Sequence, residues 1–446
     1  MFKDQQGNRV SGATANSVAL YDRALHAFNI YRGDPVCQLD QAIRETPDFA
    51  MAYIAKALLY VTTSEPAAIA AARGFTDQAR NLLLNEREKS HVAALDRFFD
   101  GGWAEGALAL EQHRIRFPRD LLALQSGHLM DFYCANSRNL RDRILRALPE
   151  WSADLPGYSI LLGMLAFGLE ETGSYREAEE RGREAVALQP LDCWAHHAVA
   201  HVMEMQGRPE DGIGWMIARE PYWSGDDNAF KVHNWWHRAL FHLSLDQSEE
   251  ALALYDGSVR ENQSQVTLEL VDASALLWRL HLGNIDVGTR WNEVADNWTP
   301  HADGSSYSFN DLHAVMAFLG AGRAGDVARV VAALEQTAAT ESESGRWTRR
   351  VGLPLVDGFV AFWRADYETA TERLFGARHI ANAFGGSHAQ RDIIDWTLTE
   401  AAIRGGYRDM AKALVNERRA HKPRCLVGAG FAKRMRDDMA ASDIAA

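Results

Sequence analysis

The chain has 446 residues, more than one hydrophobic core usually serves, so two compact domains or one elongated repeat array are expected. It is 47% hydrophobic and 24% charged, with a mean hydropathy of -0.28, which excludes disorder as the bulk state. A net charge of -13 argues against a dominant nucleic-acid-binding or anionic-membrane surface.

The first residues lack the basic and apolar regions of a signal peptide. No apolar run approaches the ~18 residues that a membrane span needs. Cys37, Cys134, Cys193 and Cys425 are scattered with no C-x-x-C, which reads as reduced thiols in a cytoplasmic protein, with Cys193 a bystander.

In chain order, residues 1–15 are polar and read as a loose arm. Helical periodicity starts near Val18 and persists, with Leu20, Leu25, Phe28 and Tyr31 recurring at helical spacing before the Gly33-Asp-Pro35 break. Residues 16–150 read as N-terminal helical hairpins and 151–433 as tetratricopeptide-like repeats, with a tail over 434–446. The clearest repeat runs from Ile160 to Pro190, with Gly173-Ser-Tyr175, Ala178 and Ala185. Gly207 follows Gly173 by one repeat period. Later turn signatures drift in spacing, so the repeats are degenerate. Two long loops, 222–228 and 298–310, are candidates for functional loops. The expected fold class is all-α: a superhelix of degenerate helical hairpins, open or closed around a central pocket.

The chemistry concentrates in Trp194-Ala-His-His-Ala-Val-Ala-His-Val-Met-Glu204 and in His233-Asn-Trp-Trp-His237. Intervals of 3, 4 and 3 put Trp194, His197, His201 and Glu204 on one helical stripe, leaving His196 off it. His233 and His237 repeat the i, i+4 spacing, with Trp236 beside them. Asp311, His313, His388, Arg391 and Asp392 fall at or near the starts of later helices. Such starts can converge on one inner face.

Two imidazoles one turn apart can hold a divalent metal, with a carboxylate as third ligand. The same set can instead work as base, partner and orienter. The second reading is preferred, because H-x-x-x-H without the Glu of H-E-x-x-H is weak evidence for metal. His197, His201, Glu204 and His237 are therefore the catalytic candidates. Trp194, His233, Trp236, Asp311, His313, His388, Arg391 and Asp392 are the ligand-binding ones. A plain helix cap is the commoner use of Gly386-Ser387. No nucleophile-elbow, P-loop or dinucleotide-binding motif is present.

The runs Leu162-Gly-Met-Leu-Ala-Phe-Gly-Leu-Glu-Glu171, Ala195 to Arg208, His233-Asn-Trp-Trp-His237 and Gly386-Ser-His-Ala-Gln-Arg-Asp392 resemble the tetratricopeptide repeat protein 38 family over nearly the whole chain. The resemblance implies an all-helical repeat array and brings no activity with it. By resemblance to tetratricopeptide repeats, the register taken from Gly207 turns Trp194, His197, His201 and Glu204 toward the concave groove. In that register His, His, Glu and Trp replace the Lys, Arg and Asn with which peptide-clamping grooves of this kind hold a C-terminus. The expectation is an enzyme or binder acting on a small polar organic molecule by acid–base chemistry such as hydrolysis. The alternative is a non-catalytic scaffold for a peptide or protein. A homodimer is compatible with a long exposed helical face, though nothing requires one.

Overall fold

A computed structural model describes residues 2–445, apart from the side chains of Phe384 and of 436–446. The fold is all-α. Among the described residues the only strand-like pairings are two isolated bridges, Lys3 with Arg9 and Arg32 with Asn228.

The chain forms two compact units. Unit 1 comprises Met1–Val199 with Pro221–Lys231, and unit 2 comprises Ala200–Glu220 with Val232–Ala446. The division falls inside a helix at 199/200, whereas the repeat pattern placed the break near residue 150. Unit 1 is built from α1 (Ala15–Ile30), α2 (Pro35–Glu45), α3 (Ala50–Val61), α4 (Pro66–Arg80), α5 (Glu86–Gly101), α6 (Trp103–Arg116), α7 (Leu121–Tyr133), α8 (Ser137–Ala147), α9 (Tyr158–Glu170) and α10 (Tyr175–Leu188). Helices α11 (Cys193–Met205) and α12 (Pro209–Trp223) contribute residues to both units. Unit 2 continues with α13 (Lys231–Ser244), α14 (Ser248–Leu254), α15 (Thr267–Leu282), α16 (Arg290–Trp298), α17 (Ser308–Gly320), α18 (Ala324–Ala338), α19 (Glu343–Trp347), α20 (Leu353–Trp363), α21 (Tyr367–Arg378), α22 (His388–Arg404), α23 (Arg408–His421) and α24 (Leu426–Ala445). Residues 434–446, expected as a tail, continue α24 as far as Ala445.

Within each unit, consecutive helices pair as hairpins: α1 on α2, α3 on α4, α9 on α10, α20 on α21. Small buried residues such as Ala178 and Ala185 let paired helices approach closely. In unit 2, α15 packs against both α17 and α22. It is deeply enclosed, with Asp272, Ser274, Leu276, Trp278 and Arg279 all buried.

The two long loops are tied down. Residues 222–228 close on the turn after α1, where Gly33 N–H donates to Asp227 O at 2.7 Å and Arg32 pairs with the Asp227 carboxylate at 2.6 Å. In the loop before α17, Gly304 N–H donates to Asp311 Oδ1 at 2.9 Å, and its carbonyl accepts from Thr337 Oγ1 at 2.7 Å. Gly304 has φ +68°, and a Cβ there would meet Ala333 Cβ at 2.5 Å, so this loop needs glycine.

The N-terminal segment is not a loose arm. Asp4, Gln6 and Val10 are buried. The reason is electrostatic: Arg87 on α5 is buried and needs two carboxylates. Its Nη1 stands 3.1 Å from Asp4 and its Nε 2.5 Å from Asp120. The same Asp120 oxygen accepts from His91 Nε2 at 2.7 Å and His113 Nε2 at 2.9 Å, and the other caps α7 through Ala123 N–H. Burial works to raise the Asp120 pKa. Arg87 and the two imidazoles overcome it and hold the carboxyl well below its usual range. Burial drives His91 the other way, down to about 4.

Both groups have depressed folded-state pKa values, so both stabilise the fold above their unfolded pKa and lose that contribution as pH falls. For His91 the loss runs from about 6.5 down to about 4. For Asp120 it sets in below about 4. Asp120→Asn leaves Arg87 short of a charge and is expected to cost about 3 kcal/mol at pH 7. The check is urea denaturation at pH 7, 6 and 5: the parent midpoint should fall across this range, and the variant should start lower.

Candidate functional site

The interior of unit 2 collects most of the polar residues singled out from sequence. On α13, His233 and His237 stand one turn apart, and on α11 His201 faces them. One ligand nitrogen of each lies within 4.8 Å of the others. The His201 and His237 rings are 4.6 Å apart between centroids, and His233 and His237 are 4.8 Å apart. All three are buried. Trp236 stacks on His233 at 5.2 Å and meets His237 edge-on at 4.9 Å, so an apolar wall braces the imidazoles.

Asp272 on α15 fixes His233. Its two carboxylate oxygens lie 2.9 and 2.8 Å from His233 Nδ1. Nδ1 donates to the carboxylate, which fixes the ring and makes Nε2 its acceptor nitrogen. Desolvation raises the Asp272 pKa, while His233 and Arg279 act to lower it. A carboxylate behind an imidazole is the usual orienting arrangement at a metal-binding histidine.

Arg279, which no motif marked, organises the rest. It is 2% exposed, lies over the Trp236 ring at 5.3 Å and donates to the carbonyls of Ala275 and Ala389. Burial lowers its pKa to about 10, against the pull of Asp392, Glu204 and Asp272. It therefore stays charged at neutral pH. It also acts on His313, whose pKa falls to about 4, first from burial and then from this charge, while the bond from Nδ1 to Phe309 O (2.8 Å) opposes.

Glu204 and Asp392 are held by cations of α23 and the turn after it. Lys422 Nζ lies 2.8 Å from Glu204 and 3.5 Å from Asp392, and Arg418 clasps Asp392 through two bonds of 2.9 Å. Burial works to raise the Asp392 pKa. Arg418, Lys422 and Arg279 reverse this and keep it far below the normal range. Gly207 makes room for the Lys422 backbone. Its φ is +60°, and a Cβ would stand 2.9 Å from Lys422 Cα. Glu204 is thus a paired anion beside the histidines.

Trp194 and His197 belong to unit 1, in an aromatic cluster where Trp194 meets Tyr31 at 5.6 Å and Phe167 at 4.7 Å, and His197 meets Phe230 at 5.1 Å. His197 is one turn before His201 on the same helix. His196 stacks on Trp223 at 5.9 Å. Arg391 turns back to the carbonyls of Gly385 and Gly386, and His388 opens α22 behind a Ser387–Gln390 capping box. Asp311 holds the 304 loop. Burial of Cys193 raises its thiol pKa to about 12, so it is not a ready nucleophile.

A second histidine cluster, His91–His113–Asp120 in unit 1, also brings its ligand atoms within 4.8 Å. No spacing pattern in the sequence marked it. Arg87, on the same carboxylate oxygen, already neutralises that site and disfavours a cation there.

Asp311 provides a test of how dry this interior is. Desolvation raises its pKa to about 8, with the Gly304 bond opposing. A raised folded-state pKa stabilises the fold fully below about 3.9, the unfolded value, and that contribution fades as pH rises through about 8. Asp311→Asn removes the titration and keeps the acceptor for Gly304. The variant should gain stability relative to the parent between pH 6 and pH 9, by about 1 kcal/mol or more. Thermal melts at those two pH values measure it.

No protein-family model matches the chain. Among solved structures it is similar to human IFIT1, captured as a dimer with m7Gppp-AAAA, at 12% identity and a TM-score of 0.43, with 96% of each chain covered.

Proposed function

We propose that His201, His233 and His237 form a transition-metal centre of the zinc type, serving hydrolysis or related acid–base chemistry on a small polar organic molecule. The observation that carries the reading is the buried imidazole trio with Asp272 orienting His233. Two nitrogens on one tetrahedral zinc, with bonds of about 2.0 Å, stand roughly 3.3 Å apart.

Arg279, Arg418 and Lys422 share this interior with Asp272, Glu204 and Asp392, so a polar substrate would meet charges of both signs. The same motif supplies donors for substrate oxygens: Trp236 Nε1–H and the Asn234 amide are buried and have no hydrogen-bond partner among the described residues. The metal would polarise the substrate and activate water, and Asp272 would keep His233 in its ligating tautomer. We place this protein with the tetratricopeptide-like arrays of the tetratricopeptide repeat protein 38 kind. The cysteines, none of them disulfide-bonded, suit a reducing compartment such as the cytoplasm.

Metal analysis of tag-free protein tests the reading. About one zinc-type ion per chain is expected, lost in His201→Ala and in His237→Ala. Asp272→Asn should retain the site with ~10- to 100-fold weaker affinity in a chelator competition. Metal-free protein that also fails to take up added zinc would sink the proposal.

A further inference from the structure

Unit 1 contains a separate small cavity, of about 40 Å³, between the N-terminal segment and α1. Helix α1 presents Asp22, His26 and Asn29 to it, at i, i+4 and i+7 on one face. Asn29 is 1% exposed, and neither atom of its amide has a hydrogen-bond partner among the described residues. Gln6, also buried, donates through Nε2 to Pro156 O at 3.1 Å. That bond fixes its amide so that Oε1, likewise without a partner, is turned away from Pro156. Asp22 accepts from Gln5 N–H through Oδ1 at 3.2 Å and keeps Oδ2 for another donor.

The cavity is therefore rich in acceptors. Gln6 Oε1 and Asn29 Oδ1 are buried oxygens without donors, and Asp22 adds a carboxylate, against the donors Asn29 Nδ2 and the His26 ring N–H. Two buried amides without partners in one cavity are costly unless something satisfies them. Leu25 and Ile160 line the same space with apolar surface. A primary ammonium carries three N–H donors and one positive charge, which matches three oxygens of which one is a carboxylate. The volume admits only a small terminal group, so the rest of the ligand must project outward.

We propose that this cavity binds a primary ammonium group at the end of a short alkyl chain, with Asp22 as counter-ion and Asn29 and Gln6 as neutral acceptors. Burial raises the Asp22 pKa to about 6, and bringing in a cation relieves that strain on the ionised form. Partial burial lowers the His26 pKa, which reduces the repulsion between this imidazole and a cation in the cavity.

Calorimetric titration of the full chain with propylammonium chloride tests this directly. Saturable one-site binding is expected. Trimethylpropylammonium, which has the charge and no N–H donors, should not compete. Asp22→Asn and Asn29→Leu should each weaken binding at least tenfold, in proteins whose melting temperatures confirm folding; if one fails to fold, Gln6→Leu replaces it. A parallel titration with Nα-acetyl-lysine amide separates the sources. Binding as tight as propylammonium assigns the site to a lysine side chain of a partner, and weaker binding assigns it to a free amine. The idea is overturned by absence of saturation with both probes, by equal binding of the trimethyl analogue, or by affinity unchanged in the folded variants.

Discussion

A guanidinium sealed from water governs the interior of unit 2. Arg279 cannot leave, because its donors are bound to the carbonyls of Ala275 and Ala389 and its face lies on Trp236. A charge in that position is tolerable only if anions surround it. Asp272, Glu204 and Asp392 supply them, and those anions in turn determine what else can be there. Asp272 orients His233; Glu204 and Asp392 bring in Lys422 and Arg418. Burial lowers the His313 pKa to about 4, and the same positive charge adds to that effect.

Unit 1 solves the same problem differently. Arg87 meets Asp4 and Asp120, and two histidines complete the hydrogen bonding around one carboxylate oxygen. Both units thus combine a buried cation, carboxylates and imidazoles. The difference lies in where the imidazole nitrogens point. In unit 1 both Nε2 atoms are spent on Asp120 beside Arg87. In unit 2, Asp272 takes Nδ1 of His233, so that ring's Nε2 is left as its acceptor nitrogen. Composition alone would not separate the two clusters, whereas the hydrogen-bond direction does.

Much of this was legible in the residues. Helical periodicity, turn glycines and the scarcity of β-branched alternation pointed to an all-helical chain of hairpins. The i, i+4 spacing of His233 and His237 put both on one face of a single helix, and their nearness to His201 needed only the next hairpin to fold back. Arg279, Asp272 and Lys422 were not legible. A lone Arg in a leucine-rich helix looks like a solvated side chain, and its burial depends on partners far away in sequence. The unit 1 cluster was missed for the same reason: His91, His113 and Asp120 come from three different helix positions with no local pattern. The N-terminal segment misled because its polar residues resemble a solvated arm, when Asp4 is in fact required inside by Arg87.

The ion pair of Glu204 with Lys422 spans 218 residues. At synthesis rates of ~5–20 residues per second, the carboxylate waits roughly 10–40 s for its counter-ion to be made. Until then α11 carries an acidic group that cannot be buried without a severe penalty. Arg418, the partner of Asp392, arrives only four residues earlier. The histidine-lined interior is therefore among the last parts of the chain to close during biosynthesis. A stop codon between residues 238 and 422 would leave it open and charged, even though His201, His233 and His237 were already in place.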